Sequence, residues 1–296
     1  MTETQPLISF ITVNFNTTDD TIEFLQSTRD ISYKNIEVIV VDNASKENPG
    51  IVLKNKFPEI IYIRSEINLG FAGGNNLGIK EAKGKYLFFL NNDTLLYPDF
   101  LEPVVEFMES HPDAGMASPR VLYPDGKTIQ YVGAIGISPY TGRGERFNVG
   151  DEDTGQFNRN YVTDLGHGAA LIVPHKIIEE VGFMPEVYFL YYEEHDWCEQ
   201  VKRAGYKMYY IGDSKIRHKE SVSTGNASPL KTYYMSRNRL IFMRRNFKGL
   251  PFLTGLLYFC LFSFPKNIIR YTIQGNSKLL KAFWSGVYWN LTHSKT

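Results

Sequence analysis

The chain has 296 residues, 43% of them apolar and 22% charged, a composition that excludes a disordered, collagen-like or long coiled-coil chain. Its length allows one large domain, or a domain with an appendage. The net charge is zero, but beyond Glu220 stand 11 Lys/Arg and no Asp/Glu, against 21 basic and 32 acidic side chains up to it, so the C-terminal segment is suited to an anionic surface.

The first ninety residues alternate strand-like and helix-like runs. LISFITVNF (7–15) reads as a buried strand; with Glu3 before it and no basic cluster, it is not expected to be a secretory signal. The polar cluster 16–20 offers N-caps for a helix to about Thr28. EVIVVD (37–42) is a second strand, and Ser45 a cap for a short helix after it. IIYIRS (60–65) is a third strand, NNLGIKEA (75–82) a helix and YLFFL (86–90) a fourth strand. Strands this uniformly apolar suit a parallel sheet covered on both faces, and the alternation implies a right-handed doubly wound α/β domain. Ligands of such domains sit beyond the carboxyl ends of the strands. That rule singles out Asn14, Asp42, Arg64 and Asn91 to Asp93.

Residues 120–165 are rich in Gly, Tyr and Asn and read as loops and short strands. GAALIVP (168–174) is a buried strand. EEHDWCEQVKRAGY (193–206) has acidic residues first and basic residues last, the order a helix dipole favours. KMYYIG (207–212) and SKIRH (214–218) read as two strands. In the tail, Pro251 and Pro265 bracket thirteen uncharged residues, too few to cross a bilayer alone. Arg244, Arg245 and Lys248 precede them; Lys266, Arg270, Trp284 and Trp289 follow. Helices lying in an anionic lipid interface fit this pattern, and a helical subdomain packed on the core is the alternative.

Several chemistries are excluded. No GxGxxG follows the first strand, no P-loop is complete, no Cys/His grouping has zinc spacing and no GxSxG elbow occurs. Two cysteines cannot form a disulfide framework, which points to a reducing compartment.

What remains is an ordered set: TVNFN (12–16), VVDNAS (40–45), NLGFAGGNN (68–76), LNNDT (90–94), YYEEHDW (191–197), His218 and YYMSRN (233–238). Together these strings resemble family 2 glycosyltransferases of the GT-A fold, in particular a rhamnosyltransferase-like branch, over about residues 7–245. The resemblance implies an α/β fold: a doubly wound, mostly parallel sheet with a Rossmann-like nucleotide-binding half (1–235) and a helical, membrane-associating C-terminal region (236–296). It implies an inverting transfer from dTDP-rhamnose or a UDP-sugar to a hydroxyl of a growing cell-surface glycan. The acceptor would be lipid-linked, and the enzyme peripheral on the cytoplasmic face of the membrane, with no nucleic-acid partner.

By the same resemblance Asp42 accepts from the imide N–H of the nucleotide base, or caps the helix after its strand. Asn14, Asn43, Arg64, Gly74, Asn75, Asn91 and Asn92 lie along the nucleotide sugar, Arg64 being alternatively a surface ion pair. Asp93 binds Mg²⁺ or Mn²⁺ across the donor phosphates, hard oxygen ligands suiting these ions. Asn91 stands where the family's first Asp is usual and lowers the negative charge of the site. His218 is the second metal ligand, with His167 and His195 as alternatives. Glu194 is the base that takes the acceptor proton, Glu193 its partner. Asp196 and Trp197 support the acceptor, or serve the helix dipole and the core. Arg237 clamps phosphate, or begins the basic surface. A sugar-phosphate nucleotidyltransferase usually has a Gly-rich basic loop after the first strand, whereas NFNTTDD is acidic and lacks Gly. An inactive scaffold is the non-enzymatic alternative, suggested by Asn91 and Glu194.

Overall fold

The computed structural model describes residues 5–220 and 228–293. The apolar runs form β1 (Ile8–Asn14), β2 (Ile36–Asn43), β3 (Ile61–Ser65) and β4 (Tyr86–Leu90), with α1 (Thr18–Asp30), α2 (Gly50–Lys56) and α3 (Gly70–Glu81) between them. These strands pair in parallel in the order β3-β2-β1-β4. All of β4 and all of β1 except Val13 are buried, as a doubly covered sheet requires.

The chain continues through β5 (Thr94–Leu96), α4 (Leu101–Ser110), β6 (Ala114–Leu122), β7 (Ile129–Tyr131), β8 (Ala134–Ile135), β9 (Glu145–Arg146), β10 (Tyr161–Thr163) and β11 (Ala170–Pro174). Then come α5 (His175–Val181), α6 (Glu193–Arg203) and β12 (Lys207–His218). Beyond β4 the sheet runs β11-β6-β12-β10, with β11 antiparallel to both β4 and β6. The result is a mixed sheet in which β1 to β4, β6 and β12 share one direction.

Three local readings change. The helix expected from Asn75 begins at Gly70, so the glycines of NLGFAGGNN lie inside α3. Gly70 adopts φ +74°, and a Cβ there would strike the Phe189 carbonyl; at Gly74 one would meet Val13 Cγ1 at 2.9 Å. The glycines let α3 lie close on β1 and on the 189 loop. The two strands expected at 207–218 are one strand. Its register slips between Ile211 and Lys215, opposite Pro119 of β6, which has no N–H to give the ladder. Ser45 caps no helix; α2 starts later, after Pro49, and the Ser45 hydroxyl accepts from Asn14 Nδ2 and the Asn16 N–H instead.

The tail forms α7 (Pro229–Asn246), α8 (Gly249–Tyr258), a π turn at Phe259–Ser263, α9 (Phe264–Ile273) and α10 (Ser277–Thr292). The expected boundary at 235 falls within α7. Neither proline breaks the helix: Gly249–Ile273 is one helix of 25 residues with mean hydropathy 1.4, long and apolar enough to span a bilayer by length and composition. Pro251 occupies its first turn, and the π turn just before Pro265 accommodates the second ring. The tail packs through a small second core of Leu240, Met243, Phe259 and Phe283. It leaves Leu250, Leu253, Leu257, Leu261, Ile269 and Ile273 exposed, with Trp284 and Tyr288 of α10. Lys266, Arg270, Lys278 and Lys281 are exposed beside them.

Candidate active site

Parallel pairing sets a row of side chains across the strand ends. Asn14 is in register with Asp42, and Asp42 with Arg64. The buried Asp42 carboxylate accepts from Asn14 Nδ2 at 2.8 Å on one oxygen and pairs with Arg64 Nη1 at 2.5 Å on the other. Arg64 Nη2 also donates to the Ser45 carbonyl. Asn43, next along β2, ties down the loop before α3: it donates to Gly70 O and accepts from the Leu69 N–H.

β4 delivers Asn91, Asn92 and Asp93 just past its end. The antiparallel pairing of β5 with β12 sets His218 opposite Thr94, the residue after Asp93. His218 Nε2 therefore lies 3.1 Å from Asp93 Oδ1, with Asn91 Nδ2 at 3.2 Å. Its other nitrogen, Nδ1, is 2.7 Å from Gln130 Oε1, and Gln130 Nε2 donates in turn to Glu220 Oε2. That chain assigns a proton to Nδ1 and turns the Nε2 lone pair toward Asp93, the arrangement metal-binding histidines share. Ligands of an octahedral cation with bonds of about 2.1 Å lie about 3 Å apart, so Asp93 and His218 fit one Mg²⁺ or Mn²⁺. No third His, Cys, Asp or Glu joins them among the described residues, leaving the other positions to water and phosphate oxygens. Asn92 directs its amide nitrogen to Thr17, just before α1, and to Thr21 within it.

Across the cleft, α6 opens with Glu193 and Glu194. The preceding Phe189, Tyr191 and Tyr192 all have positive φ, a strained path for non-glycine residues. Asn238 of α7 holds that path by donating to the Tyr188, Leu190 and Tyr191 carbonyls, and Arg237 by donating to those of Val187 and Tyr188. Burial, then the neighbouring Glu194 charge, raises Glu193 well above the usual carboxylate value. Burial also pushes Glu194 up, but His195, 3.3 Å away, and Arg146 outweigh it and hold Glu194 below that value. The two neighbours are thus pushed in opposite directions, Glu193 toward the protonated form and Glu194 toward the ionised one, and Glu194 Oε2 is buried without a hydrogen-bond partner.

Asn43, Asn91, Asn92, Asp93, Glu193, Glu194 and His218 line a single cleft of about 910 Å³. Asn14, Asp42, Arg64, Gly74 and Asn75 do not line it; the first three form the strand-end row, and Gly74 and Asn75 are packed within α3. Three further expected residues serve the framework. Trp197 is fully buried, edge-on to Phe89, and donates to Gly182 O. Asp196 pairs with Arg245 at 2.6 Å and accepts from Asn246. Arg237 is enclosed by the rings of Tyr234 and Trp289. The sequence reading missed Gln130, which stands alone in the irregular middle region and reaches His218 only through the β6–β7 pairing. It also missed His195 as the neighbour that lowers Glu194, although the string EEHD places it next to the pair.

Residues 9–182 match glycosyl transferase family 2. The chain belongs to that family. Among relatives, the low-salt glycan biosynthesis hexosyltransferase Agl10 of Haloferax volcanii is 24% identical over 252 residues, covering 79% of this chain and 74% of Agl10. The UDP-Glc:alpha-D-GlcNAc-diphosphoundecaprenol beta-1,3-glucosyltransferase WfaP of Escherichia coli is 33% identical over 105 residues, 35% of this chain and 42% of WfaP. Other relatives are much longer; the chain spans 24% of protein y4gI of Sinorhizobium fredii. In structure it resembles the mannosyltransferase PcManGT of Pyrobaculum calidifontis, solved with GDP-Man and Mn²⁺, at TM-score 0.61 and 15% identity over 99% of this chain and 77% of that one. This family 2 glycosyltransferase therefore has a GT-A-like fold.

Proposed function

We propose that this glycosyltransferase moves a sugar with inversion from dTDP-rhamnose or a UDP-sugar to a hydroxyl of a lipid-linked glycan. A rhamnosyltransferase-like specificity follows from the motif set, and a hexosyl donor from the likeness to Agl10. The observation that carries the reading is the meeting of Asp93 and His218 with an ionised Glu194 in one cleft. Asp42 orients the base: Oδ2 is taken by Arg64 and the Ser45 N–H, while Oδ1 accepts from Asn14 and retains a second lone pair. Asp93 and His218 hold Mg²⁺ or Mn²⁺, which supplies charge neutralisation for the departing diphosphate. Glu194 accepts the proton of the attacking hydroxyl, and the upward shift of Glu193 favours Glu194 as the charged member of the pair. Asn91 contributes an amide where a second carboxylate would add negative charge. Residues 1–235 constitute the transferase and 236–296 its membrane-associating extension. The exposed leucine face and its flanking lysines seat the enzyme peripherally on the anionic cytoplasmic surface, where a lipid-linked acceptor is presented.

The test is a titration of UDP and dTDP with Mn²⁺ and with EDTA. One of them binds tightly only with Mn²⁺, and Asp93→Ala abolishes the difference. Equal affinity with and without metal in the unsubstituted enzyme overturns the reading.

A further inference from the structure

Arg239 of α7 lines the cleft with only 5% of its surface exposed. Its Nη2 donates to Thr141 O and Ser263 Oγ, and its guanidinium stands 5.1 Å over the Phe259 ring. Its Nε is buried with no hydrogen-bond partner. The side chains that act on its charge are Tyr192, Arg143 and Tyr258, none of them a carboxylate. Burial, opposed by Tyr192 and aided by Arg143, draws the group down to about 10, so it remains cationic at neutral pH. A buried cation without a counter-charge is unfavourable, and the exposed Arg143 on the same cleft wall adds a second positive charge.

Tyr192 connects these cations to the acidic end of the cleft. It directly precedes Glu193, and its phenol feels Arg239, Arg143 and Glu194 together. Phe259, which lies under the Arg239 guanidinium, and Leu279 and Phe283 of the C-terminal helices also line the cleft.

We propose that Arg239 and Arg143 form an acceptor-side anion subsite, separate from the donor site at Asp93 and His218. It takes the phosphate groups of an amphiphilic acceptor, whose first hydrocarbon units lie against Phe259, Leu279 and Phe283. The assignment rests on the glycosyltransferase reading: a sugar held here by its anomeric phosphate turns a hydroxyl across the ring toward Glu194. The bare Nε and the second guanidinium supply charge-assisted hydrogen bonds to phosphate oxygens.

The experiment is calorimetric titration of the full chain, in EDTA, with decyl diphosphate, inorganic pyrophosphate and decanol. Decyl diphosphate binds at least about tenfold tighter than either of the others, and Arg143→Ala weakens it by at least about tenfold, the size of a lost charged hydrogen bond. Arg239→Gln weakens it further. Asp93→Ala, the control for the donor site, leaves this metal-free binding unchanged. Because Arg143 is exposed, its variant keeps the test decisive even if Arg239→Gln fails to fold. Undiminished binding to Arg143→Ala overturns the proposal; pyrophosphate binding as tightly as decyl diphosphate overturns it in favour of a free-anion site. Sedimentation with phosphatidylglycerol vesicles separates the bilayer itself: Arg143→Ala binds them like the unsubstituted enzyme, and a matching loss there assigns the arginines to the membrane surface and overturns the subsite. None of these readouts needs donor or metal, so their failure is distinct from a failure of Mn²⁺-dependent nucleotide binding, which tests the glycosyltransferase reading.

Discussion

Asp42 is a fully buried acid and Glu194 a half-buried one, and the two sides of the site that they represent are built differently. On the nucleotide side the groups arrive already positioned: Asp42 has the donors Asn14 and Arg64, and Asp93 faces the imidazole Nε2 of His218, itself oriented by Gln130. On the acceptor side Glu193, Glu194 and Arg239 each keep a buried polar atom without a partner. One side is organised before ligand binds; the other holds opposed charges that a substrate carrying a hydroxyl and a phosphate would satisfy together. Such unsatisfied groups, unfavourable in the free protein, are a common mark of sites whose partners come with the substrate.

The sharpest way to break this contrast is Glu194→Gln. If Glu194 is the base, kcat falls by about 10²–10⁴-fold, while nucleotide affinity measured with Mn²⁺ stays unchanged. A parallel loss of nucleotide affinity would tie Glu194 to the organised side instead. Gln130→Leu tests the opposite half. It removes the acceptor that orients His218 Nδ1, so affinity for Mn²⁺ with nucleotide falls by about 10–100-fold, whereas nucleotide affinity in EDTA does not change. An unaltered Mn²⁺ affinity would mean that His218 needs no such orientation.

These two residues also show what could be read from the sequence. Asp42 and Asp93 end uniformly apolar strands, so chain order alone put them at the ligand edge of the sheet. Glu194 opens a helix with a strong charge gradient, and it too was legible. Gln130 and Arg239 were not: each acts through a partner distant in the chain, His218 for one and Arg143 for the other. Gly74 of NLGFAGGNN was placed along the nucleotide sugar because the sequence signal of these glycines is permissive backbone. Here the same permissiveness serves close packing inside α3, at Val13 and Phe189. Pro265 was read as a boundary because proline lacks an N–H, but the π turn before it lets the helix continue.

A smaller effect follows from His195. Glu194 is held below its ordinary value of 4.5, and His195 is the leading group that lowers it. The base is thus ionised above that range, and kcat/KM declines only as pH falls through the depressed value. The His195→Asn variant removes this support, and the acid limb of the pH–rate profile moves to higher pH. An unmoved limb would show that Arg146 and the backbone suffice.

The smallest expected effect concerns stability and isolates Glu193. Burial, then the Glu194 charge, raises its folded-state value well above the ordinary 4.5, so the folded chain holds this proton more tightly than the unfolded chain. The associated stabilisation is complete below the ordinary value and is lost as pH rises through the raised one. Glutamine keeps the shape and hydrogen-bonding reach of the protonated acid at every pH. Glu193→Gln is therefore expected to match the unsubstituted enzyme in acid and to melt a few degrees higher above the raised value, where the acid would have to ionise beside Glu194. A variant that melts lower at neutral pH would mean that Glu193 is ionised in the folded chain, and the division of the pair into one proton holder and one base would have to be reversed.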